Sequence, residues 1–329
     1  MAEGIDLASW EPAYTEDPYP FFARLREQAP VCKVVMDGLS VWLVTRYDDI
    51  RDVLSDPRLS NDPGLADAAT RAVPWVGASM AVARHMLRVD PPDHTRLRRL
   101  VAKAFTPRRL EALRPRIQQI ADELVATIQP HGRAELLTEF ALPLPLTVIS
   151  ELLGVSTTEE QEFVQWVNLF FGMDEGDAVR VVQARAWLND YLARLIEHKE
   201  LEHADRIADA EQGSLLDGLI AVRNEGDQLH HDELLAMSFL LLIAGYETTA
   251  NLISNGLLSL LRNPGQYAAL RADPALTRPA IEELLRYESP VKLTPFVRIT
   301  TTEVTIGGVV IPAHQPILVG CRSAHVTLS

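Results

Sequence analysis

Only two of the 329 residues are cysteine, Cys32 and Cys321, and they lie far apart. Two such thiols give neither a disulfide framework nor a cysteine-based metal site, and they suit a reducing compartment. Positive charge is also scarce. The chain has 31 Lys+Arg against 45 Asp+Glu, a net charge of −14, which argues against a general nucleic-acid binder. The stretch Met1 to Asp17 is polar and acidic and lacks the apolar core of a signal peptide. The longest apolar run, Leu234–Tyr246 with one Ser, is too short to span a bilayer, so no membrane partner and a cytoplasmic location are expected. There is no GxGxxG, Walker-type phosphate loop, GxSxG or HExxH motif. His198 and His203 do not share a helical face, and His230-His231 reads as a solvated helix start. Repeats, low-complexity tracts and linkers are absent.

What remains is 47% hydrophobic and 23% charged, the balance of a soluble globular protein. A chain of this length buries roughly three quarters of its unfolded surface, enough to enclose a deep cavity. Helical periodicity dominates, so the expected fold is mainly α with a minor β-sheet component, in a single domain over residues 1–329. The hairpin signals Asp37-Gly38 and Gly307-Gly308 place a small sheet near the N-terminus and strands in the tail. Asn61–Ala83, rich in Gly, Ala and Pro, reads as a lid or binding loop. The longest helix is expected over Asp232–Arg262. Asp232 and Glu233 complement its positive end, and Asn263-Pro264-Gly265 stops it.

That helix breaks its own rules at Ala244-Gly245-Tyr246-Glu247-Thr248-Thr249. Gly costs about 1 kcal/mol against Ala in a helix interior, and an acid in apolar surroundings costs several more unless paired or neutralised. Such violations mark functional sites. A small residue followed by Gly opens space beside the helix. A Thr hydroxyl can bond the carbonyl one turn back, locally widening the helix, and an acid of raised pKa behind it can supply protons. The plainer alternative has Glu247 in solvent and both Thr residues packed in the core.

A second group is Asp90-Pro91-Pro92-Asp93-His94-Thr95-Arg96-Leu97-Arg98-Arg99. The prolines open a helix on which His94 and Arg98, one turn apart, can grip a carboxylate or phosphate. Arg96, Arg98, Arg99, Lys103, Arg108 and Arg109 form a basic patch without an acid between them, suited to an acidic partner or simply to solvent. A third group pairs Glu283 with Arg286 at i and i+3, which on an ordinary helix is a surface ion pair of little value.

In this order, Asp90–Leu110, Ala244–Asn251, Glu282–Val291 and Val297–Ala313 resemble the soluble bacterial branch of the cytochrome P-450 family, as far as about Gly320. The resemblance implies the family's mostly helical fold and a heme b cofactor. It also implies insertion of one oxygen atom from dioxygen into a small organic substrate, as a step of secondary metabolism, with electrons from NAD(P)H through redox proteins. It assigns His94, Arg98 and Arg298 to the heme propionates. Ala244 and Gly245 fall to the oxygen-binding face, and Glu247 and Thr248 to proton delivery. Glu283 and Arg286 become a buried structural ion pair. An acidic ferredoxin-type donor would dock at the Arg96–Arg109 patch. Asn61–Ala83, Lys292–Phe296 and part of Leu240–Tyr246 would line the substrate pocket. The family's iron ligand, a Cys in a Phe-Gly-x-Gly loop, has no match here, since Cys321 follows Val319-Gly320 at the end of a strand. The expectation is therefore a fold lacking its C-terminal heme-ligand segment, through a frameshift or stop near Gly320. Such a chain is expected to expose apolar surface, to bind heme poorly and not to turn over. The alternative is a non-catalytic helical ligand-binding fragment.

Overall fold

The computed structural model describes residues 5–6, 17–36, 38–72, 84–156, 158–171, 178–205, 214–223 and 229–321. Its contacts divide the chain into two units. The first comprises Met1–Met80, Leu87–Asp90 and Asn255–Ser329, and the second Ala81–Met86 and Pro91–Ser254.

The first unit is built on a sheet of order β1-β2-β3-β8-β5-β4. Its strands are β1 (Ile5–Asp6), β2 (Val31–Met36), β3 (Leu39–Val44), β4 (Leu59–Ser60), β5 (Arg298–Thr300) and β8 (Pro316–Val319). The expected hairpin forms between β2 and β3, with Met36 opposite Leu39 and Gly38 at φ +78°. A second hairpin joins β6 (Val304–Ile306) to β7 (Val309–Ile311). Gly307 and Gly308 both have positive φ, the backbone that a two-residue loop demands of its centre. The N-terminal strands and the strands of the tail share one sheet, because β8 pairs in parallel with β3. Period-2 alternation explains how one strand serves two cores. Leu318 packs with Phe22, Leu25 and Leu43, whereas Ile317 and Val319 pack with Val44, Ile50 and Val53. Helix α1 (Tyr19–Gln28) supplies Phe21, Phe22 and Leu25, and α2 (Tyr47–Ser55) supplies Ile50 and Val53. The stretch expected as an irregular loop holds a 3-10 turn at Pro63–Leu65 and α3 (Ala68–Ala72), while 73–83 lie outside the described residues.

The second unit is helical. It contains α4 (Asp93–Ala104), α5 (Pro107–Ile128), α6 (Pro143–Leu153), α7 (Glu160–Phe170), α8 (Ala178–Asp205), α9 (Leu215–Arg223) and α10 (His231–Arg262) as far as Ser254. A π-helical turn, Leu137–Ala141, leads into α6. Fully buried Leu153, Phe163, Leu188, Leu192, Leu216 and Leu219 fill its core. Trp166 of α7, then Trp187 and Tyr191 of α8, stack in sequence at 5.4 and 5.1 Å between centroids.

Helix α10 is long and apolar enough to cross a membrane by length and composition, because its apolar character continues past Tyr246. The 13-residue run alone did not suggest this. Here it behaves as a core helix, with Leu234–Leu240 buried in succession and the Ser238 hydroxyl donating to the Leu234 carbonyl at 2.8 Å. Beyond Arg262 come α11 (Pro264–Ala272) and α12 (Thr277–Tyr287), both in the first unit.

Candidate functional site

In the second unit α4 buries Leu97, Leu100, Val101 and Ala104 and turns its other face outward. His94 is half-buried and Arg98 exposed, one turn apart. Among the described residues neither side chain has a hydrogen bond or ion pair. By contrast, Asp93 takes Arg84 at 3.0 Å, and Arg96 is bonded to Glu233 in the first turn of α10. Arg109 is also engaged, donating to the Ser214 carbonyl at 3.1 Å. Gly218 makes room for it, since a Cβ there would lie 2.2 Å from the Arg109 guanidinium. Of the six basic residues, Arg96 and Arg109 are half-buried, and Arg98, Arg99, Lys103 and Arg108 are exposed.

On α10, Ala244 is exposed and Thr248 half-buried. The Thr248 hydroxyl donates to the Ala244 carbonyl at 2.7 Å, the back-bond anticipated from sequence. The helix does not break or widen there. It stays α-helical through Thr249, because this bond supplements the ladder without replacing one of its members. Gly245 faces α6, where a Cβ would come within 3.3 Å of Ile149 Cδ1. Tyr246 is fully buried and donates to Asn168 Oδ1 at 2.9 Å, a link that the sequence gave no means of seeing. Burial, and then the neighbouring Glu247, push its hydroxyl up to about 12.

Part of the Glu247 side chain reaches solvent, yet desolvation by the surrounding protein raises its carboxyl above the ordinary 4.5. The folded state thus keeps this proton where the unfolded chain has lost it, so Glu247 lowers stability as pH rises through the interval above 4.5. Glu247→Gln should therefore raise the urea midpoint at about pH 7 and leave it unchanged at about pH 4. A variant no more stable than wild type at the higher pH would show that the carboxylate carries no such penalty.

In the first unit Arg298 opens β5 and is half-buried. Burial lowers its pKa, which the charge of Asp90 partly offsets. Its guanidinium has no hydrogen-bond or ion-pair partner among the described residues. Glu283 and Arg286 do pair, at 2.7 Å, but their side chains are 57% and 31% exposed. The buried pair implied by resemblance is corrected to a solvent-facing one. The reason is local: no residue of α12 is buried, so no packed layer covers the pair.

Comparison with known proteins places these features. The family model for cytochrome P-450 matches residues 10–326, slightly past Gly320, to which the motif resemblance extends. The chain belongs to the cytochrome P-450 family, and by that membership it is an oxidoreductase of the heme monooxygenase class. It is 45% identical to cytochrome P-450 107B1 of Saccharopolyspora erythraea, over 97% of this chain and 78% of that protein. It is 39% identical to 6-deoxyerythronolide B hydroxylase of the same organism, over 94% and 76%. The bacillaene polyketide synthase cytochrome P-450 PksS of Bacillus subtilis superposes with a TM-score of 0.84 at 34% identity, covering 95% of this chain and 76% of PksS.

Among the described residues His94 and Arg98, in the second unit, have no protein acceptor, and Arg298, in the first, is a half-buried guanidinium without one; each is of a type that suits a propionate. The two cysteines do not fit an axial thiolate. Cys32 packs against the core that holds Phe22 and Leu43, and Cys321 against the one that holds Ile50 and Val53, so both thiols are taken up by the sheet.

Proposed function

We propose that this chain forms the heme-cradling part of a monooxygenase that inserts one oxygen atom from dioxygen into a small organic substrate of secondary metabolism. The carrying observation is the turn of α10 in which Thr248 bonds the Ala244 carbonyl beside an acid of raised pKa. Bound heme supplies the redox iron at which dioxygen is activated. His94, Arg98 and Arg298 donate to its propionates, exposed Ala244 leaves space over its face, and Gly245 lets α10 pack closely on Ile149 beside it. The Thr248 hydroxyl hands on a proton, and Glu247 replaces it, since its carboxyl holds a proton to higher pH than an exposed acid does. Glu283 and Arg286 brace α12 in the same domain. The name of PksS supports a polyketide-class substrate. The exposed cations Arg98, Arg99, Lys103 and Arg108 support an acidic ferredoxin-type donor, and a cytoplasmic location accords with both.

By itself the 329-residue polypeptide holds heme weakly and does not turn over, a reading supported by the packing of both thiols against the cores of the sheet. The same thiols favour the second reading, a non-catalytic ligand-binding fragment. Titrating hemin into the purified chain tests both. His94→Ala/Arg98→Ala should weaken binding about tenfold through loss of charge-assisted bonds. The reduced, carbon monoxide-treated complex should lack a thiolate-type Soret band. Unchanged affinity in the double variant would remove the propionate roles, and a thiolate-type band would overturn the expected inactivity.

A further inference from the structure

Among the described residues His314 is the one non-glycine residue with positive φ, at +62°. It lies between β7 and β8, in a conformation that glycine takes without steric cost and a Cβ opposes. Such residues persist where their surroundings fix them, and here the fixing group is buried Thr300 of β5. The Thr300 carbonyl accepts from the His314 N–H at 2.7 Å. The Thr300 hydroxyl donates to the Pro312 carbonyl at 2.7 Å and accepts from the Gln315 N–H at 2.8 Å. The turn is therefore clamped to the sheet before and after His314.

Held in this way, the ring reaches a distant element of the same unit. His314 Nδ1 stands 3.0 Å from the carbonyl of Leu65, 249 residues away in sequence. A carbonyl only accepts, so this nitrogen carries the proton of the bond. Leu65 closes the 3-10 turn Pro63–Leu65, and α3 follows it. Much of the order in 62–72 comes from bonds within the segment. Asp62 caps the Gly64 N–H at 2.8 Å, and Asp67 accepts from the Thr70 N–H at 2.7 Å. Arg71 donates to the Gly64 and Ala66 carbonyls at 3.0 and 2.7 Å. Three successive carbonyls thus accept from side chains, two from Arg71 inside the segment and one from His314 outside it. Ala66 joins the core of the sheet, whereas Leu65 is 41% exposed. Internal bonding with little apolar anchorage marks a unit that opens separately from the rest.

We propose that His314 is a latch. Its imidazole holds 63–72 against the turn between β7 and β8, and when that bond parts the segment opens locally while the sheet stays paired. The resemblance sets this segment in the wall of the substrate pocket, so under the proposed function the latch governs how often that wall opens. That consequence rests on the oxygenase reading; the latch itself does not.

Hydrogen exchange of the purified chain, followed by mass spectrometry of its peptides, tests the latch. His314→Gly suits the backbone and loses the ring, so the amides of 63–72 should exchange about fivefold faster. His314→Asn is the rescue, since asparagine tolerates positive φ and its Nδ2 is attached to Cγ as the imidazole Nδ1 is. Its exchange over 63–72 should stay within about twofold of wild type. The amides of β2 and β3, in the same unit, should be unchanged in both variants. The proposal fails if His314→Gly leaves 63–72 unchanged, or if His314→Asn exchanges there as fast as His314→Gly. It also fails if β2 and β3 accelerate together with the segment, because the bond then supports the whole unit and latches nothing. No hemin enters these measurements, so a negative result would leave the oxygenase reading to its own titration.

Discussion

Asp90→Ala is expected to lower folding stability by about 2–4 kcal/mol, read as a fall in the urea midpoint. Asp90 accepts from the Ser60 hydroxyl, from the Asn61 backbone N–H at 2.8 Å and from Asn61 Nδ2 at 3.2 Å. Ser60 is itself buried, and its hydroxyl oxygen accepts from the Asp62 N–H at 2.9 Å. These contacts fix β4, which pairs with β5 through Leu59 opposite Thr300 and Ser60 opposite Ile299. Removing the carboxylate leaves three donors without their acceptor and deprives half-buried Arg298 of the one acid that offsets its desolvation. Both losses act in the same direction, and so the expected effect is large for a side chain outside the apolar core. Asp90→Asn separates them, because an amide keeps an acceptor oxygen but loses the charge, and it should cost about half as much. An alanine variant within about 0.5 kcal/mol of wild type would show that water replaces the carboxylate and that this cluster does not hold the strand.

The same cluster shows what could be read from sequence and what could not. Asp90-Pro91-Pro92 was legible as a helix entry, since proline geometry is local. The hairpins at Asp37-Gly38 and Gly307-Gly308 were legible for the same reason, since glycine readily takes the positive φ found at Gly38, Gly307 and Gly308. The length of α10 followed from an apolar period sustained over many turns, and the desolvated Glu247 and the Thr248 back-bond from residues that sit badly in such a helix. Contacts between distant segments were not legible. The union of β3 with β8 joins Trp42 to Ile317, and no local pattern chooses a partner 275 residues away. The basic run from Arg96 to Arg109 looked uniform because the groups that occupy Arg96 and Arg109, Glu233 and the Ser214 carbonyl, lie far along the chain. Burial of Glu283 and Arg286 was an expectation carried over with the resemblance. Whether a pair is buried depends on what covers the helix, which the pair itself does not encode.

Glu233→Ala should cost about 2–4 kcal/mol, because one carboxylate serves two purposes. One oxygen accepts from the His230 N–H at 2.9 Å, closing the first turn of α10 from within, and the other holds Arg96 of α4. The side chains of Arg96 and Glu233 are 24% and 12% exposed, so solvent screens this pair far less than the surface pairs of α5. Glu233→Gln keeps an acceptor for the cap and removes the charge, which isolates the bridge. A double-mutant cycle with Arg96→Met should return a coupling of about 1–3 kcal/mol, and a value near zero would reduce the bridge to a surface contact. The cycle also reaches function, because His94 and Arg98 stand on the same α4 turns as Arg96. If Glu233 sets the position of those turns, Glu233→Gln should weaken hemin binding although Glu233 belongs to α10 and is not among the proposed propionate donors. Stability lost with hemin affinity intact would assign the bridge to folding alone.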